Sequence, residues 1–317
     1  MTSSADRLYF CPDCGHEYSE EANYCPHDGA RLYGYTRDEE ASDGLLGAHL
    51  DGRFSVDRQL GEGGMGRVYL GTQLSVDSEV AIKVLHPALG SDEMAIKRFF
   101  REARVVSRFS HPNIVRLLDF GQDDETGFLY LVLEMVAGGD LATTLQHAPG
   151  QRVTAELTLE IALQTCRGLA EPHDAEIVHR DLKPQNLMLV PMVDGHVQVK
   201  ILDFGLARTL KAHERLTSSG LVCGTAHYMP PRQAEGEEVG PEVDIYALGA
   251  ILHELMTGKH VFEGERPIQI MMKHARLDPP LLHEDYPSID APAAVGELVD
   301  DLLAKDPAER PTDLPAL

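Results

Sequence analysis

The chain has 317 residues, with 28 Lys and Arg against 51 Asp and Glu, for a formal net charge of −23 at neutral pH. That balance argues against nucleic-acid binding, which needs clustered cations against phosphates; solubility, with some steering of basic protein partners, is the simpler consequence. Hydrophobic residues make up 43% of the chain, enough for a folded core, and the length allows one large domain plus a small module. The N-terminus, MTSSADRLYF, lacks an apolar signal segment. Of the five cysteines, three cluster near the start and Cys166 and Cys223 stand alone. This suits a reducing compartment rather than a disulfide framework, so cytoplasmic residence is expected.

Residues 1–32 carry Cys11, Cys14 and Cys25, with Asp28 where a fourth cysteine would complete C-x2-C-x10-C-x2-C. The CPDCG string resembles the tight turn of a zinc-ribbon knuckle. Three thiolates with Asp28, His27 or His16 make a tetrahedral set, and a segment this small cannot bury enough core to order itself without a metal. A structural Zn2+ on Cys11, Cys14, Cys25 and Asp28 is expected; the alternatives are a metal-free tail or a redox pair at Cys11 and Cys14. Residues 33–50, with Asp38, Glu39, Glu40 and Asp43, read as a solvated acidic linker.

From residue 51 the pattern changes. Leu60 to Tyr69 reads LGEGGMGRVY, with Gly61, Gly63 and Gly66 spaced G-x-G-x-x-G-x-V up to Val68. Glycines let a backbone approach phosphates closely. Fifteen residues after Val68, Lys83 interrupts the apolar strand-like run from Val80 to Leu85, where a lysine has no packing role. Asp92 to Phe109 reads as a helix and carries Glu102. Then Val178 to Val190, VHRDLKPQNLMLV, sets Asp181 and Asn186 five apart with Lys183 between them. That is the spacing of a proton acceptor, a metal ligand and a phosphate-binding cation in one loop. Pro191 to His196 reads as an enlarged hairpin turn, and Asp203 follows the apolar run Val197 to Leu202. Val243 to Gly258 has the apolar density of a helix buried on most sides, but only Ile245 to Leu252, eight residues, run without a charge. No membrane span is expected from a run so far below the roughly 20 residues that one requires.

These four pieces in this order resemble the eukaryotic-type Ser/Thr protein kinases of bacteria, and the resemblance covers residues 51–317. It implies an α+β, two-lobed fold, with a β-rich N-lobe at about 51–135, a helical C-lobe at about 136–317 and ATP in the cleft between them. The zinc-ribbon-like module would precede it. Carried over by position, the glycine loop covers the phosphates, Lys83 contacts the α and β phosphates, and Glu102 is the helix glutamate that pairs with Lys83. A solvated helix-face glutamate is the other reading of Glu102. Leu60, Val68, Ala81 and Met188 lie beside the adenine, Leu133 is the gatekeeper, and Glu134 and Val136 offer backbone groups to the adenine edge. Asp181 accepts or orients the substrate proton, Lys183 neutralises phosphate charge, and Asn186 with Asp203 holds Mg2+. His179 is implied to pack beneath Phe204 rather than act as a base, and Asp244 to brace the backbone of the catalytic loop. Lys183 and Thr225 resemble the Ser/Thr class, so protein substrates with serine or threonine acceptors are expected.

Arg180 implies a phosphate on the activation segment, with Thr217, Ser218 and Ser219 as the phosphosite cluster and autophosphorylation as its source. One departure stands out. Where the family has an Ala-Pro-Glu closing that segment, this chain has Pro230, Pro231 and Arg232. The family's glutamate pairs with a buried arginine matched here by Arg310, so Arg232 threatens to set like charges together. Glu235 or Glu309 substituting, Arg232 turning to solvent, or a weakened C-lobe are the ways out. On this reading Arg232→Glu raises stability or activity. An ATP-binding scaffold with the zinc module as interaction element is the alternative function.

Overall fold

The computed structural model describes residues 7–10, 17–18, 24–27, 33–36, 45–63, 66–85, 93–204, 225–235, 237, 239–289 and 291–311. They fall into two compact units, one holding Met1–Arg108 and Arg116–Val136 and the other Phe109–Val115, Ala137–Gly205 and Cys223–Leu317.

The first unit contains two antiparallel sheets. A small one has the order β2-β1-β3, from Arg7–Phe10 (β1), Glu17–Tyr18 (β2) and Tyr33–Thr36 (β3). The larger is six-stranded, formed by His49–Leu50 (β4), Phe54–Gly63 (β5), Gly66–Gln73 (β6), Ser78–Leu85 (β7), Leu117–Gln122 (β8) and Leu129–Glu134 (β9), in the order β4-β5-β6-β7-β9-β8. In β7 the alternation of side chains buries Val80, Ile82 and Val84 with Phe54, Val56 and Tyr69 in the core, and turns Ala81 and Lys83 to the opposite face. The helix Glu93–Val106 (α1) buries Phe99, Ala103 and Val106 at helical spacing and sets Phe100 against Phe120 of β8.

The acidic reading of 33–50 as a linker needs correction at both ends. Tyr33–Thr36 pairs with β1 as an edge strand. Leu45 and Leu50 are 1% exposed and belong to the core of the larger sheet. The acidic residues between them masked these apolar anchors.

The second unit is mostly helical. Gly139–Asp140 (β10), Leu187–Pro191 (β11) and Val197–Ile201 (β12) form a small sheet, with β11 and β12 joined by the expected hairpin, Gly195 standing at φ +89° in its turn. The helices are Leu141–His147 (α2), Ala155–Asp174 (α3), Pro231–Ala234 (α4), Glu242–Thr257 (α5), Pro267–Arg276 (α6), Leu282–Asp285 (α7) and Ala293–Leu302 (α8). Asp140 caps α2 by accepting from the Thr143 backbone N–H at 2.8 Å. Helix α5 is buried on nearly every side, and a Cβ on its Gly249 would come within 2.8 Å of Leu302 Cβ, so glycine lets α8 lie close. Among the described residues no helix is long and apolar enough to cross a membrane.

Candidate active site

In the second unit the chain leaves α3, turns through Val178–Asn186 and enters β11. Asp244, in the first turn of α5 and 1% exposed, organises this loop. It accepts hydrogen bonds from the backbone N–H of His179 at 2.7 Å and of Arg180 at 2.8 Å, and from His173 Nε2 at 2.8 Å. A buried carboxylate with three donors is a satisfied anion, and it fixes the backbone that leads to Asp181.

His179 is buried beneath Phe204, with ring centroids 5.0 Å apart. Its Nε2–H donates to the Leu202 carbonyl at 2.7 Å and its Nδ1 accepts from the Asp181 N–H at 3.3 Å. Both ring nitrogens are therefore used in holding the backbone, and the ring is not placed as a base.

Lys183 Nζ donates to Asp181 Oδ2 at 2.8 Å. Asn186 Nδ2 donates to the Asp181 carbonyl at 2.7 Å, which fixes the amide's orientation and leaves Oδ1 as its acceptor face. The Asn186 carbonyl in turn accepts from Leu202 N–H at 2.9 Å, so the residue before Asp203 is tied to Asn186. Arg180 and Asp203 both adopt positive φ, +66° and +56°. Two non-glycine residues held in this costly region beside the same loop are typical of a preorganised site. The amide and carboxylate oxygens of Asn186 and Asp203 are hard donors, a set that fits Mg2+.

In the first unit, Val68 lies opposite Lys83 in the β6–β7 register and Lys83 opposite Leu131 of β9. Ala81 and Lys83 share one face of β7, and Val68 reaches that face from β6. Gly61 pairs with Val68 and Gly63 with Gly66; Gly66 has φ +144°, and a Cβ there would come within 2.0 Å of the Val84 carbonyl, so no other residue fits. Leu60 is exposed, and Glu102 is half-buried on α1. Glu134 is fixed by accepting from the Arg116 N–H at 3.0 Å, and Val136 follows it; Leu133 pairs with Ala81. Met188, half-buried in β11 of the second unit, pairs with Asp140.

Of the ways out at the Arg310 site, the structure takes the one in which Arg232 turns to solvent, and no acid among the described residues substitutes for the family's glutamate. Arg310 is 4% exposed, and its guanidinium donates from Nε to the Ala304 carbonyl at 2.8 Å, from Nη1 to Glu242 O at 2.9 Å and from Nη2 to Lys305 O at 3.2 Å. It also lies 4.9 Å over the Tyr246 ring. Burial lowers its pKa, with Tyr246, Glu242 and Asp306 opposing, but an arginine stays charged under such a shift. Arg232 points away to Glu237 at 2.6 Å, with Glu242 at 3.9 Å, and is 43% exposed. Glu235 and Glu309, the expected substitutes, are both exposed. The backbone carbonyls of Glu242, Ala304 and Lys305 satisfy the arginine instead. Carbonyls carry no residue identity, so the sequence held no signal for them.

Thr225 opens a 3-10 turn, Thr225–Tyr228. Thr217, Ser218 and Ser219 lie outside the described residues, as do Cys11, Cys14, Asp28 and His16. Cys25 is buried, with its Sγ 2.9 Å from the Tyr18 hydroxyl. Among the described residues no group of three or more His, Cys, Asp or Glu is arranged to hold a metal ion.

The protein kinase domain family model matches residues 54–317. Serine/threonine-protein kinase pkn3 of Myxococcus xanthus is 38% identical over 278 residues, covering 87% of this chain and 50% of that protein. Serine/threonine-protein kinase PrkC of Bacillus subtilis is 38% identical over 266 residues, 84% of this chain and 39% of that protein. This chain thus spans half or less of the length of these two relatives. A crystal structure of the Mycobacterium tuberculosis PknI kinase domain superposes with a TM-score of 0.66 at 25% identity, over 85% of this chain and 94% of that domain.

Proposed function

The chain belongs to the protein kinase domain family, and from that premise we propose that it transfers the γ-phosphoryl group of ATP to serine and threonine hydroxyls of proteins. The observation that carries this is the Asp181 carboxylate, paired with Lys183 at 2.8 Å on a backbone braced by Asp244. In the step itself the substrate hydroxyl oxygen forms a bond to the γ phosphorus while the bond from that phosphorus to the β–γ bridging oxygen breaks, and ADP leaves with the electron pair. The hydroxyl proton goes to Asp181. Lys183 offsets charge on the transferred group, as does Lys83 on the α and β phosphates with Glu102 orienting it. Asn186 and Asp203 would hold Mg2+, which when bound supplies further charge neutralisation at the phosphates. Leu60, Gly61, Gly63, Gly66, Val68, Ala81, Glu134, Val136 and Met188 would serve nucleotide binding.

The domain bounds at 1–32, 33–50 and 51–317 belong to the same reading, with the first two amended by β3 and by Leu45 and Leu50. So do cytoplasmic action, autophosphorylation at Thr217, Ser218 or Ser219, and a structural Zn2+ on Cys11, Cys14, Cys25 and Asp28.

The test is incubation with γ-labelled Mg-ATP and a basic protein, followed by acid hydrolysis. Label on phosphoserine or phosphothreonine is expected. Label confined to phosphotyrosine, or none at all, would sink the reading.

A further inference from the structure

We infer that Gln233 is a positioning residue for Asp181. Its side-chain Nε2 donates to the backbone carbonyl of Arg180 at 3.2 Å, from helix α4 just beyond Arg232. The carbonyl can only accept, so the amide group must present its NH2 there, and the orientation of the Gln233 side chain follows.

That carbonyl belongs to the peptide joining Arg180 to Asp181. Its two ends are held by two side chains: Gln233 takes the oxygen, and His179 Nδ1 accepts the Asp181 N–H at 3.3 Å. The preceding peptide is held by Asp244, which takes the Arg180 N–H at 2.8 Å. Arg180 sits between the two at φ +66°. A non-glycine residue there is strained and persists only when its surroundings over-determine it. Asp244 alone fixes one side of the residue. Gln233 fixes the other, and with it the direction in which Asp181 leaves the backbone.

The contact also has a place to act. Arg180, Asp181 and Leu182 line a small cavity with Tyr228, Pro230 and Gln233, so the catalytic loop lies against the segment that follows the activation segment. Helix α4 is steadied in turn by the Arg232–Glu237 pair and by the Glu237 N–H, which donates to the Arg232 carbonyl at 3.0 Å. The position of α4 is thereby transmitted to Asp181 through one hydrogen bond.

This inference rests on the kinase reading for its catalytic consequence but not for its geometry, and the experiment separates the two. Gln233→Met keeps the length and removes the donor; Gln233→Lys restores a donor; Gln233→Asn keeps the amide but draws it back, and serves if the methionine variant fails to fold. Backbone amide hydrogen exchange over residues 177–187, measured without nucleotide, is expected to be faster in Gln233→Met and to return toward wild type in Gln233→Lys. Phosphotransfer to a basic protein is expected to lose about tenfold in kcat with little change in KM for ATP, since a displaced catalytic group costs rate rather than nucleotide binding. Wild-type exchange in both Gln233→Met and Gln233→Asn would overturn the inference. So would faster exchange with unchanged kcat per folded molecule. If the wild type itself transfers no phosphate, the kinase reading fails, and the exchange rates still decide whether Gln233 pins the loop.

Discussion

At Asp244 a buried carboxylate gathers three donors, two of them backbone N–H groups of the loop that carries Asp181; at Arg310 a buried guanidinium spreads three donors over backbone carbonyls. Both groups take a charge out of water, and both are almost fully buried. They differ in what they hold. Asp244 fixes a strained segment whose geometry sets the position of Asp181, whereas Arg310 ties Glu242 at the start of α5 to Ala304 and Lys305. The first arrangement serves the site and the second the fold. A family ion pair can therefore be lost at Arg310 without touching Asp181, because dipoles replace the missing carboxylate.

The largest expected effect tests the first half of this contrast. Asp244→Ala leaves two buried N–H groups and His173 without their acceptor, and is expected to cost about 3–5 kcal/mol in urea unfolding, with transfer activity nearly lost. Arg310→Met removes the charge together with its desolvation cost and leaves only carbonyls short of donors, so about 1–3 kcal/mol is expected, with kcat per folded molecule kept. If the order of these two losses is reversed, or if Arg310→Met abolishes transfer, the division between the two regions fails.

A pH series sharpens the same contrast. His274, which bonds the Tyr246 hydroxyl beneath Arg310, has its pKa lowered to about 3, first by burial and then by Lys305. Burial likewise lowers His253 and His227 to about 4. The unfolded chain binds protons on these imidazoles near the ordinary histidine value of 6.5, so between there and about 3–4 the unfolded state holds more protons than the folded one. The stability they contribute is complete above that value and drains as pH falls through the window. The urea midpoint at pH 5 should lie below that at pH 7.5, and replacing His274 by Phe should flatten the difference. A midpoint independent of pH would contradict the neutral, buried state of these rings.

Arg232→Glu is the smallest expected effect. The sequence suggested a gain, but Arg232 lies at the surface between Glu237 and Glu242, and Arg310 already has partners. Reversal should slightly lower thermal stability in low salt, through repulsion that high salt screens, and leave activity unchanged. A clear gain would mean that the backbone carbonyls do not suffice and that Arg310 needs a carboxylate.

How far the sequence could be read depended on where the determinants lie. Asp181, Lys183 and Asn186 share six residues, so the loop that brings them into contact was legible from one short string. Asp244 was legible through resemblance. Gln233 was not, because its partner is a carbonyl 53 residues away, and any residue can supply a carbonyl. The same blindness hid the acceptors of Arg310. The strand Tyr33–Thr36 and the core residue Leu45 were missed for another reason: a run of acids between them outweighed short apolar signals that only pairing and packing reveal.

The central claim is that the loop is held in working geometry although the Glu–Arg pair is absent. Initial rates of label transfer from γ-labelled Mg-ATP to a basic protein, compared between the wild type and Asp181→Asn at equal folded concentration, test it most directly. The account predicts measurable wild-type transfer and a loss of at least about a hundredfold in the variant. Equal rates in the two proteins, or no transfer by a folded, ATP-binding wild type, would contradict it.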